Sequence, residues 1–329
     1  MESKEILRIE NLKTYFEVSG GLLAKKQYVK AVDDVSLSIN EGETFGLVGE
    51  SGCGKSTLGR TIVKLYEPTA GKIFFEGEDV TAIKSREKLH NFHRDCQLIF
   101  QDPYASLDPR LTVGEIIKEP MEIHNMYSSN EEREQECVKL LEMVGLKPDH
   151  IRRYPHEFSG GQRQRISIAR TLALRPKFIV CDEPISALDI SIQAQIINIL
   201  KEIQQNLNIA YLFIGHDLAM IETIADRIGV MYLGHLVEMG TAEEVYHHPV
   251  HPYTQALLSA VPLPDPVEGK NRQRLILEGE TPSPIDPPSG CPFRTRCMYA
   301  TEACAKEMSA MREFEGHLAA CARLGELPE

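Results

Sequence analysis

The sequence lacks any hydrophobic run long enough to cross a bilayer. Its longest apolar stretches, such as residues 209–214, are far shorter than the roughly 20 residues that a membrane-spanning helix needs. The opening segment MESKEILRIE also lacks the basic and apolar regions of a secretion signal. We therefore expect neither membrane insertion nor export, and a reducing cytosol in which the eight cysteines form no disulfide framework.

The sequence also lacks an excess of positive charge, because 36 basic and 48 acidic residues give a formal net charge of −12. Affinity for nucleic acid rests on clusters of lysine and arginine, so we expect no nucleic-acid partner. Hydrophobic residues at 42% and charged residues at 26% are ordinary for a globular chain. The length of 329 residues favours a major folded domain with a smaller tail.

A phosphate-binding loop stands between a predicted strand at 45–49 and a predicted helix at 55–65. Its sequence GESGCGKS matches the pattern GxxxxGK[ST], in which glycines let backbone N–H groups close around phosphates. Lys55 is expected to reach the β- and γ-phosphates of ATP, and the Ser56 hydroxyl to bind Mg²⁺. The candidate ATP-binding residues of this loop are Gly49, Ser51, Gly52, Cys53, Gly54, Lys55, Ser56 and Thr57.

A second predicted strand, FIVCDE at 178–183, is continuously apolar and ends in two acids. Ligands of parallel α/β sheets bind at such strand ends. We assign Asp182 to Mg²⁺ and Glu183 to polarising the water that attacks the γ-phosphate. The alternative interpretation is a strand followed by an acid pair that caps the next helix.

The segment FSGGQ at 158–162 resembles the signature sequence of ATP-binding-cassette ATPases, with Phe158 where leucine is commoner. In that family one ATP lies between the phosphate loop of one subunit and the signature helix of its partner, in a head-to-tail dimer. A single set of motifs then implies that a second chain supplies the other half. The residues that the resemblance places against the partner's ATP are Ser159, Gly160, Gly161, Gln162 and, in the D-loop, Asp189.

Other positions resemble the remaining nucleotide contacts of the family. Gln101 resembles the glutamine that contacts Mg²⁺ and the attacking water, and His216 resembles the switch histidine at the γ-phosphate. With Glu183, they form the predicted catalytic set for ATP hydrolysis. The family stacks adenine on an aromatic residue upstream of the phosphate loop, and the candidates for this role are Tyr15, Phe16 and Tyr28.

The resemblance implies an α/β P-loop NTPase cassette over residues 1–260. Its core sheet is expected to be mostly parallel, with an antiparallel β subdomain and an inserted helical subdomain at about 102–170. Residues 261–292 contain eight of the 19 prolines, which favours an extended connector over regular structure. We treat residues 261–329 as a C-terminal extension.

Four cysteines of that extension, Cys291, Cys297, Cys304 and Cys321, lie within 31 positions. Their spacing favours a bound metal over unligated thiols but leaves zinc and an iron–sulfur cluster open. Residues 251–260 and 290–297 resemble the C-terminal extension of oligopeptide/dipeptide-permease ATPases. That resemblance implies a structural [4Fe–4S] cluster on the four cysteines, with Zn²⁺ as the alternative.

The resemblance now covers essentially the whole chain, and residues 52–60 and 65–69 resemble the F-type subunit of that family. It implies a peripheral ATPase on the cytoplasmic face of the cell (inner) membrane that powers uptake of di- or oligopeptides. The implied partners are a D-type ATPase subunit, two transmembrane permeases and, indirectly, an extracellular peptide-binding protein. The alternatives are an importer of nickel or another small solute, and a soluble cassette ATPase of translation or DNA repair.

Overall fold

The structure is a computed structural model that describes residues 4–18, 26–261, 275, 277 and 279–327. The chain forms two compact units. Unit 1 comprises Met1–Ile6, Asn40–Glu43 and Ala82–Leu212, and unit 2 comprises Leu7–Ile39, Thr44–Thr81 and Phe213–Glu329. The predicted boundary at residue 261 stays a prediction, because most of the predicted connector that follows it lies outside the described residues.

Unit 1 contains two parallel strands and a set of helices. The strands are β6 (Cys96–Ile99) and β7 (Phe178–Asp182), and Cys96 lies opposite Phe178 in their register. The helices are α2 (Arg86–Asp95), α3 (Val113–Ile123), α4 (Asn130–Met143), α5 (Gly160–Leu172) and α6 (Ile190–Leu207), with short 3-10 helices at Pro148–Arg152 and Pro155–Glu157. Every residue of β7 is buried, as its continuous apolar sequence predicts.

The fully described stretch between β6 and β7 contains helices and turns but no strand. Thr112 and Ser129 begin α3 and α4 by accepting hydrogen bonds from the N–H groups of Glu115 and Glu132. The first of these is a complete capping box, since Glu115 accepts in return from the Thr112 backbone. This stretch therefore contains α3, α4 and α5, while the bounds of a helical subdomain at about 102–170 stay a prediction.

Unit 2 contains an antiparallel sheet in the order β2-β1-β4-β5. Its strands are β1 (Glu5–Val18), β2 (Gln27–Asn40), β4 (Ala70–Phe75) and β5 (Glu78–Asp79). Val35, Leu37 and Ile39 alternate along β2 and are all buried, as expected for a strand with one face in the core.

Unit 2 also holds strands in the order β11-β12-β10-β9-β3. These are β3 (Thr44–Val48), β9 (Arg227–Tyr232), β10 (His235–Thr241), β11 (Arg312–Phe314) and β12 (His317–Ala319). The helices of this unit are α1 (Lys55–Ile62), α7 (Leu218–Ile224), α8 (Ala242–His247), α9 (Pro252–Ser259) and α10 (Ala303–Lys306). β3 is parallel to β9, whereas β9, β10, β12 and β11 are antiparallel to one another.

The C-terminal extension contributes regular structure that the sequence did not predict. Leu318 and Ala319 of β12 pair with Met239 and Glu238 of β10, so the extension lengthens a sheet of unit 2. Two strands of three residues each are too short for a hydrophobic period to reveal them.

A further strand, β8 (Ala210–Ile214), is fully buried and lies across the division between the units, which falls after Leu212. Across the residues that the structure describes, no helix combines the length and apolar character that a membrane span requires.

Candidate functional site

The phosphate loop at 49–56 requires glycine at position 54. Gly54 has a φ of 111° and stands at the N-cap of α1. A Cβ at this residue would lie 2.0 Å from the carbonyl oxygen of Ala31. Gly54 has no side chain to accept from the first-turn N–H groups of α1, so the loop leads directly into a helix N-terminus suited to an anion.

The Lys55 ammonium lies inside the phosphate loop and is only 4% exposed. It donates to the carbonyl oxygens of Gly49 and Glu50 at 2.7 and 3.0 Å, and to the Cys53 sulfur at 3.7 Å. Carbonyl and phosphate oxygens are interchangeable partners for an ammonium group, so the loop holds its cation where phosphate oxygens would be bound.

The remaining predicted residues of the loop differ in exposure. Ser51 and Gly52 are exposed at its tip, whereas Ser56 and Thr57 lie half-buried in the first turn of α1. These exposed and half-buried positions surround the Lys55 ammonium with groups that a phosphate can reach.

Sequence reasoning missed a further residue at this loop, Tyr253 of α9. Its hydroxyl accepts a hydrogen bond of 2.9 Å from the N–H group of Glu50, across a separation of 203 residues. Tyr253 is fully buried. No local pattern could have indicated this contact, because it depends on how α9 packs in unit 2.

In unit 1 the structure brings two predicted catalytic side chains together. The Gln101 amide donates to the carboxylate of Glu183 at 2.8 Å, although 82 residues separate them. Both follow the ends of paired strands, Gln101 after β6 and Glu183 after β7. Asp182, the last residue of β7, is completely buried.

Glu183 has a left-handed backbone with a φ of 47°, which is uncommon outside glycine. The turn after it is closed by Ser186, whose hydroxyl donates to the Glu183 carbonyl at 3.2 Å. The carboxylate of the residue in this turn is the one that accepts from Gln101.

His216 lies in unit 2, directly after β8. Gly215 donates its N–H to the carbonyl of Leu47 in β3 at 3.1 Å, which places His216 beside the strand that leads into the phosphate loop. The imidazole is exposed. Asp217 then caps α7 by accepting from the N–H groups of Ala219 and Met220.

The signature segment forms the N-terminus of α5. Ser159 accepts from the N–H group of Gln162, and the Gln162 side chain accepts from the Ser159 backbone at 3.1 Å. A Cβ at Gly161 would lie 2.4 Å from Ile192 of α6, so this glycine allows the two helices to approach closely. Asp189 stands exposed at the N-cap of α6.

Of the three candidate aromatics, Tyr15 is connected to the phosphate loop. Its hydroxyl donates to Asp33 at 2.6 Å, the Asp33 N–H donates to Gly234 at 2.8 Å, and the Gly234 N–H donates to Cys53 at 2.8 Å. Phe16 and Tyr28 are exposed.

The four clustered cysteines line one small cavity of unit 2. Burial, together with the charge repulsion of the other three sulfurs, raises the pKa of the Cys291 thiol to about 11. The Cys291 N–H donates to the Cys304 carbonyl at 2.8 Å, which joins the two ends of this segment. The four thiols are therefore neighbours, as their clustering in the sequence suggests.

The predicted metal-binding geometry is not supported. Within the described ranges, no three or more His, Cys, Asp or Glu side chains are arranged so that they could hold a metal ion. The four thiols are free and take part in no disulfide bond.

Two family models match the chain. The model described as ABC transporter matches residues 32–186, and the one described as Oligopeptide/dipeptide transporter, C-terminal region, matches residues 237–304. The first match includes the phosphate loop and β7. The second includes Cys291, Cys297 and Cys304.

Named relatives are similar to the chain along nearly their whole length. The chain is 51% identical over 318 residues to the oligopeptide transport ATP-binding protein AppF of Bacillus subtilis, covering 96% of each. It is 49% identical over 329 residues to the oligopeptide transport ATP-binding protein OppF of Salmonella typhimurium, covering 99% of this chain and 98% of that relative.

Solved structures share the fold. A dimeric ATP-binding cassette in a post-hydrolysis state, bound to ADP and Pi, has a TM-score of 0.64 at 27% identity and covers 72% of this chain and 99% of its own. The cbiO1 protein from Clostridium perfringens, part of the ABC transporter complex cbiONQ, has a TM-score of 0.64 at 26% identity and covers 74% of this chain and 92% of its own.

Proposed function

Since the chain belongs to the ATP-binding-cassette family of oligopeptide transport ATP-binding proteins, we propose that it hydrolyses ATP to power peptide uptake. The single observation that carries this proposal is the phosphate loop, in which a buried Lys55 lies against loop carbonyls at the N-terminus of α1. Such a loop binds the phosphates of a nucleotide through backbone N–H groups and one ammonium.

Unit 2 is proposed to bind ATP. Residues 49–57 enclose the phosphates, and Lys55 exchanges its loop carbonyls for β- and γ-phosphate oxygens. Tyr15 is the proposed adenine platform, because its hydrogen-bonded connection to Cys53 fixes the ring relative to the loop. The exposed rings of Phe16 and Tyr28 are the alternatives.

Unit 1 is proposed to supply the hydrolytic groups. Glu183 accepts hydrogen bonds from the attacking water and orients it, and the Gln101 amide holds the Glu183 carboxylate in position. The exposed His216 of unit 2 donates to the γ-phosphate as charge develops on it. Positioning and charge stabilisation then supply most of the acceleration.

The donor set of the proposed magnesium site fits that ion. Hard oxygen donors of the kind that Mg²⁺ takes are the Ser56 hydroxyl in unit 2 and, in unit 1, the Gln101 amide oxygen and the buried Asp182 carboxylate. When bound, Mg²⁺ would neutralise charge on the phosphates. Asp182 would be the anion that holds the ion.

We propose that the functional unit is a head-to-tail dimer with a second, D-type ATPase subunit. The signature residues Ser159, Gly160, Gly161 and Gln162 begin a helix whose N-terminus favours an anion supplied by the partner. Asp189 would lie along the same interface, and the neighbouring Ile190 is 81% exposed, as expected for a side chain that a partner covers.

The four cysteines are proposed to hold a structural [4Fe–4S] cluster, with Zn²⁺ as the alternative. The observation that supports a group here is the chemistry of the donors, since four free thiols line one cavity. Either group would cross-link the extension through Cys291, Cys297, Cys304 and Cys321. Iron and zinc analysis of the purified chain distinguishes the two, and one zinc per chain without iron or visible absorption contradicts the cluster.

The proposed assembly lies on the cytoplasmic face of the membrane, with two permease subunits and, indirectly, an extracellular peptide-binding protein. It is tested by affinity purification of the chain from its own cells. Stoichiometric recovery of two hydrophobic permeases and a second cassette ATPase, with ATPase activity, supports the proposal. Ribosomes or DNA in their place would favour a soluble role, and uptake of nickel in place of peptides by the purified complex would favour the small-solute alternative.

A further inference from the structure

The phosphate loop is attached to the C-terminal extension through the side chain of Glu50. Both terminal nitrogens of Arg296 donate to the Glu50 carboxylate, Nη1 to Oε2 at 2.7 Å and Nη2 to Oε1 at 3.1 Å. This bidentate pair connects residues 246 positions apart. The Arg296 side chain is 9% exposed and that of Glu50 26%, so the pair is largely shielded from water.

Glu50 is held at other atoms too. The Thr281 hydroxyl donates to the same carboxylate at 3.0 Å, and the Glu50 N–H donates to the Tyr253 hydroxyl. The Glu50 carbonyl accepts from Lys55 at 3.0 Å. The extension therefore holds Glu50, and Glu50 is one of the two residues whose carbonyl groups accept hydrogen bonds from Lys55.

The Arg296 guanidinium is directed at the loop by a buried turn. Phe293, which is 1% exposed, packs against Tyr232 and Tyr253 with ring centroids 5.2 and 5.3 Å apart. The Arg296 N–H donates to the Phe293 carbonyl at 2.9 Å, which closes the turn. An ion pair whose partners are fixed in this way loses little side-chain entropy, unlike a pair between two mobile surface chains.

We propose that Arg296 is a positioning residue for the phosphate loop. By fixing Glu50, it holds the backbone N–H groups and the Lys55 ammonium in the geometry that binds ATP. The C-terminal extension is then part of the nucleotide-binding machinery and not only an appended domain. The inference rests on the proposed ATP-binding role of residues 49–56.

The competing explanation is that the pair only attaches the extension to the cassette. In that case its loss lowers the stability of the extension and leaves ATP affinity unchanged. A shift in loop geometry has a different signature, because displacement of binding groups by about 1 Å weakens binding strongly even in a folded protein.

The test measures the Kd of Mg-ATP on the purified full chain, in the Glu183→Gln background so that nucleotide is not consumed. Arg296→Gln keeps a polar side chain but loses the charge and the bidentate pair, and it should raise Kd about tenfold. Arg296→Lys keeps the charge without the bidentate geometry and should lie between Arg296→Gln and the parent. Thermal unfolding of each variant is recorded in parallel.

Arg294→Gln is the matched control. Arg294 lies in the same turn and donates to the Ser289 carbonyl at 2.8 Å, so this variant removes an arginine of the extension without touching the loop. Its Kd for ATP should stay within about twofold of the parent value, inside the context-dependent range of a neutral surface change. An equal rise in Kd for Arg294→Gln would overturn the proposal, because the effect would then follow general loosening of the extension.

A double-mutant cycle tests the pair directly. Glu50→Gln should raise Kd as Arg296→Gln does, and the combination should be no worse than either single variant. Additive increases, or an unchanged Kd in Arg296→Gln, contradict the inference. If Arg296→Gln does not fold, the Kd values of Glu50→Gln and Arg296→Lys are compared with that of the parent instead.

ATP binding by the parent chain and by its Lys55→Ala variant distinguishes failure of this inference from failure of the proposed function. If the parent binds ATP, Lys55→Ala binds it more weakly, and Arg296→Gln binds as the parent does, only the inference fails. If the parent itself binds no ATP, the proposed function fails and the inference with it.

Discussion

The phosphate loop in unit 2 and the strand ends in unit 1 are built in different ways. The loop is held by hydrogen bonds from largely buried groups. Lys55 donates to a carbonyl of the loop, and Glu50 is hydrogen-bonded to both Tyr253 and Arg296. The Glu183 carboxylate, by contrast, accepts a solvent-exposed hydrogen bond from Gln101. An exposed hydrogen bond contributes only about 1 kcal/mol and exchanges readily with water. The proposed hydrolytic residues at the strand ends can therefore change position, whereas the phosphate loop is already held in one geometry.

The largest effect is expected at the strand ends of unit 1, from a substitution of Glu183. Glu183→Gln keeps the shape and the contact with Gln101 but removes the charge that orients and polarises water. We expect kcat for ATP hydrolysis to fall by about 10²- to 10⁴-fold with little change in the Kd of ATP. Phosphate release and nucleotide binding measure the two quantities separately.

The control for this variant is Glu142→Gln, which makes the same chemical change at an exposed position of α4. It should keep the parent turnover. Parent-like turnover in Glu183→Gln would show that another group activates the water.

The next effect concerns the preformed loop. Gly54→Ala places a Cβ 2.0 Å from the Ala31 carbonyl at a φ of 111°, and it should lower the free energy of unfolding by about 2–4 kcal/mol. Gly52→Ala is the matched variant, because Gly52 also has a positive φ of 79° but has no atom within 4 Å of the new Cβ in the described structure. It should cost only about 1–2 kcal/mol in urea unfolding. Equal losses for both would mean that the loop can move away from Ala31.

A smaller effect is expected on binding. Lys55→Ala removes an ammonium that donates to two loop carbonyls, and loss of a charged hydrogen bond should raise the Kd of ATP about 10- to 100-fold. Lys72→Ala, at an exposed lysine of β4, is the control and should bind as the parent does. Isothermal titration with Mg-ATP measures the affinity of each variant. Equal affinity in the parent, Lys55→Ala and Lys72→Ala would contradict the proposed role of Lys55.

The smallest effect concerns the strand that the extension adds to unit 2. His317 of β12 lies 3.3 Å from the buried Glu238 carboxylate of β10, and this partner raises the His317 pKa above its usual value of 6.5. Glu244 of α8 and Glu315 in the preceding turn raise it further. The protonated form therefore stabilises the fold below the usual pKa, and this stability is lost as pH rises through the higher pKa of the folded state.

We expect the parent chain to lose unfolding free energy by this route as the pH rises from below 6.5 through the raised pKa of His317. His317→Gln should remove that part of the pH dependence, as urea unfolding at several pH values would measure. An unchanged pH profile in the variant would exclude His317 as its source.

The predicted cassette fold is confirmed by the family matches and the solved neighbours. What the sequence could indicate was local: a contiguous glycine loop, an apolar strand that ends in acids, and a serine followed by two glycines at a helix start. Each of these depends on residues within one turn or one strand, where spacing and chemistry suffice.

The contacts that the sequence could not indicate join distant parts of the chain. Tyr253 and Arg296 reach Glu50 from 203 and 246 residues away, and nothing in their immediate surroundings distinguishes them from packing residues. The metal-binding extension was predicted from clustering and resemblance. Clustering correctly placed the four thiols on one cavity, but it could not set the sulfur geometry that a bound ion needs.

The left-handed backbone of Glu183 has a consequence for which amino acids this position can tolerate. At a φ of 47°, glycine or asparagine is the least strained residue, and a longer side chain raises the energy of the turn. Backbone preference alone would therefore select against glutamate here. A variant library scored only for folding should enrich glycine and asparagine at 183, and one scored for turnover should restore glutamate, so the two selections would oppose each other at a single residue.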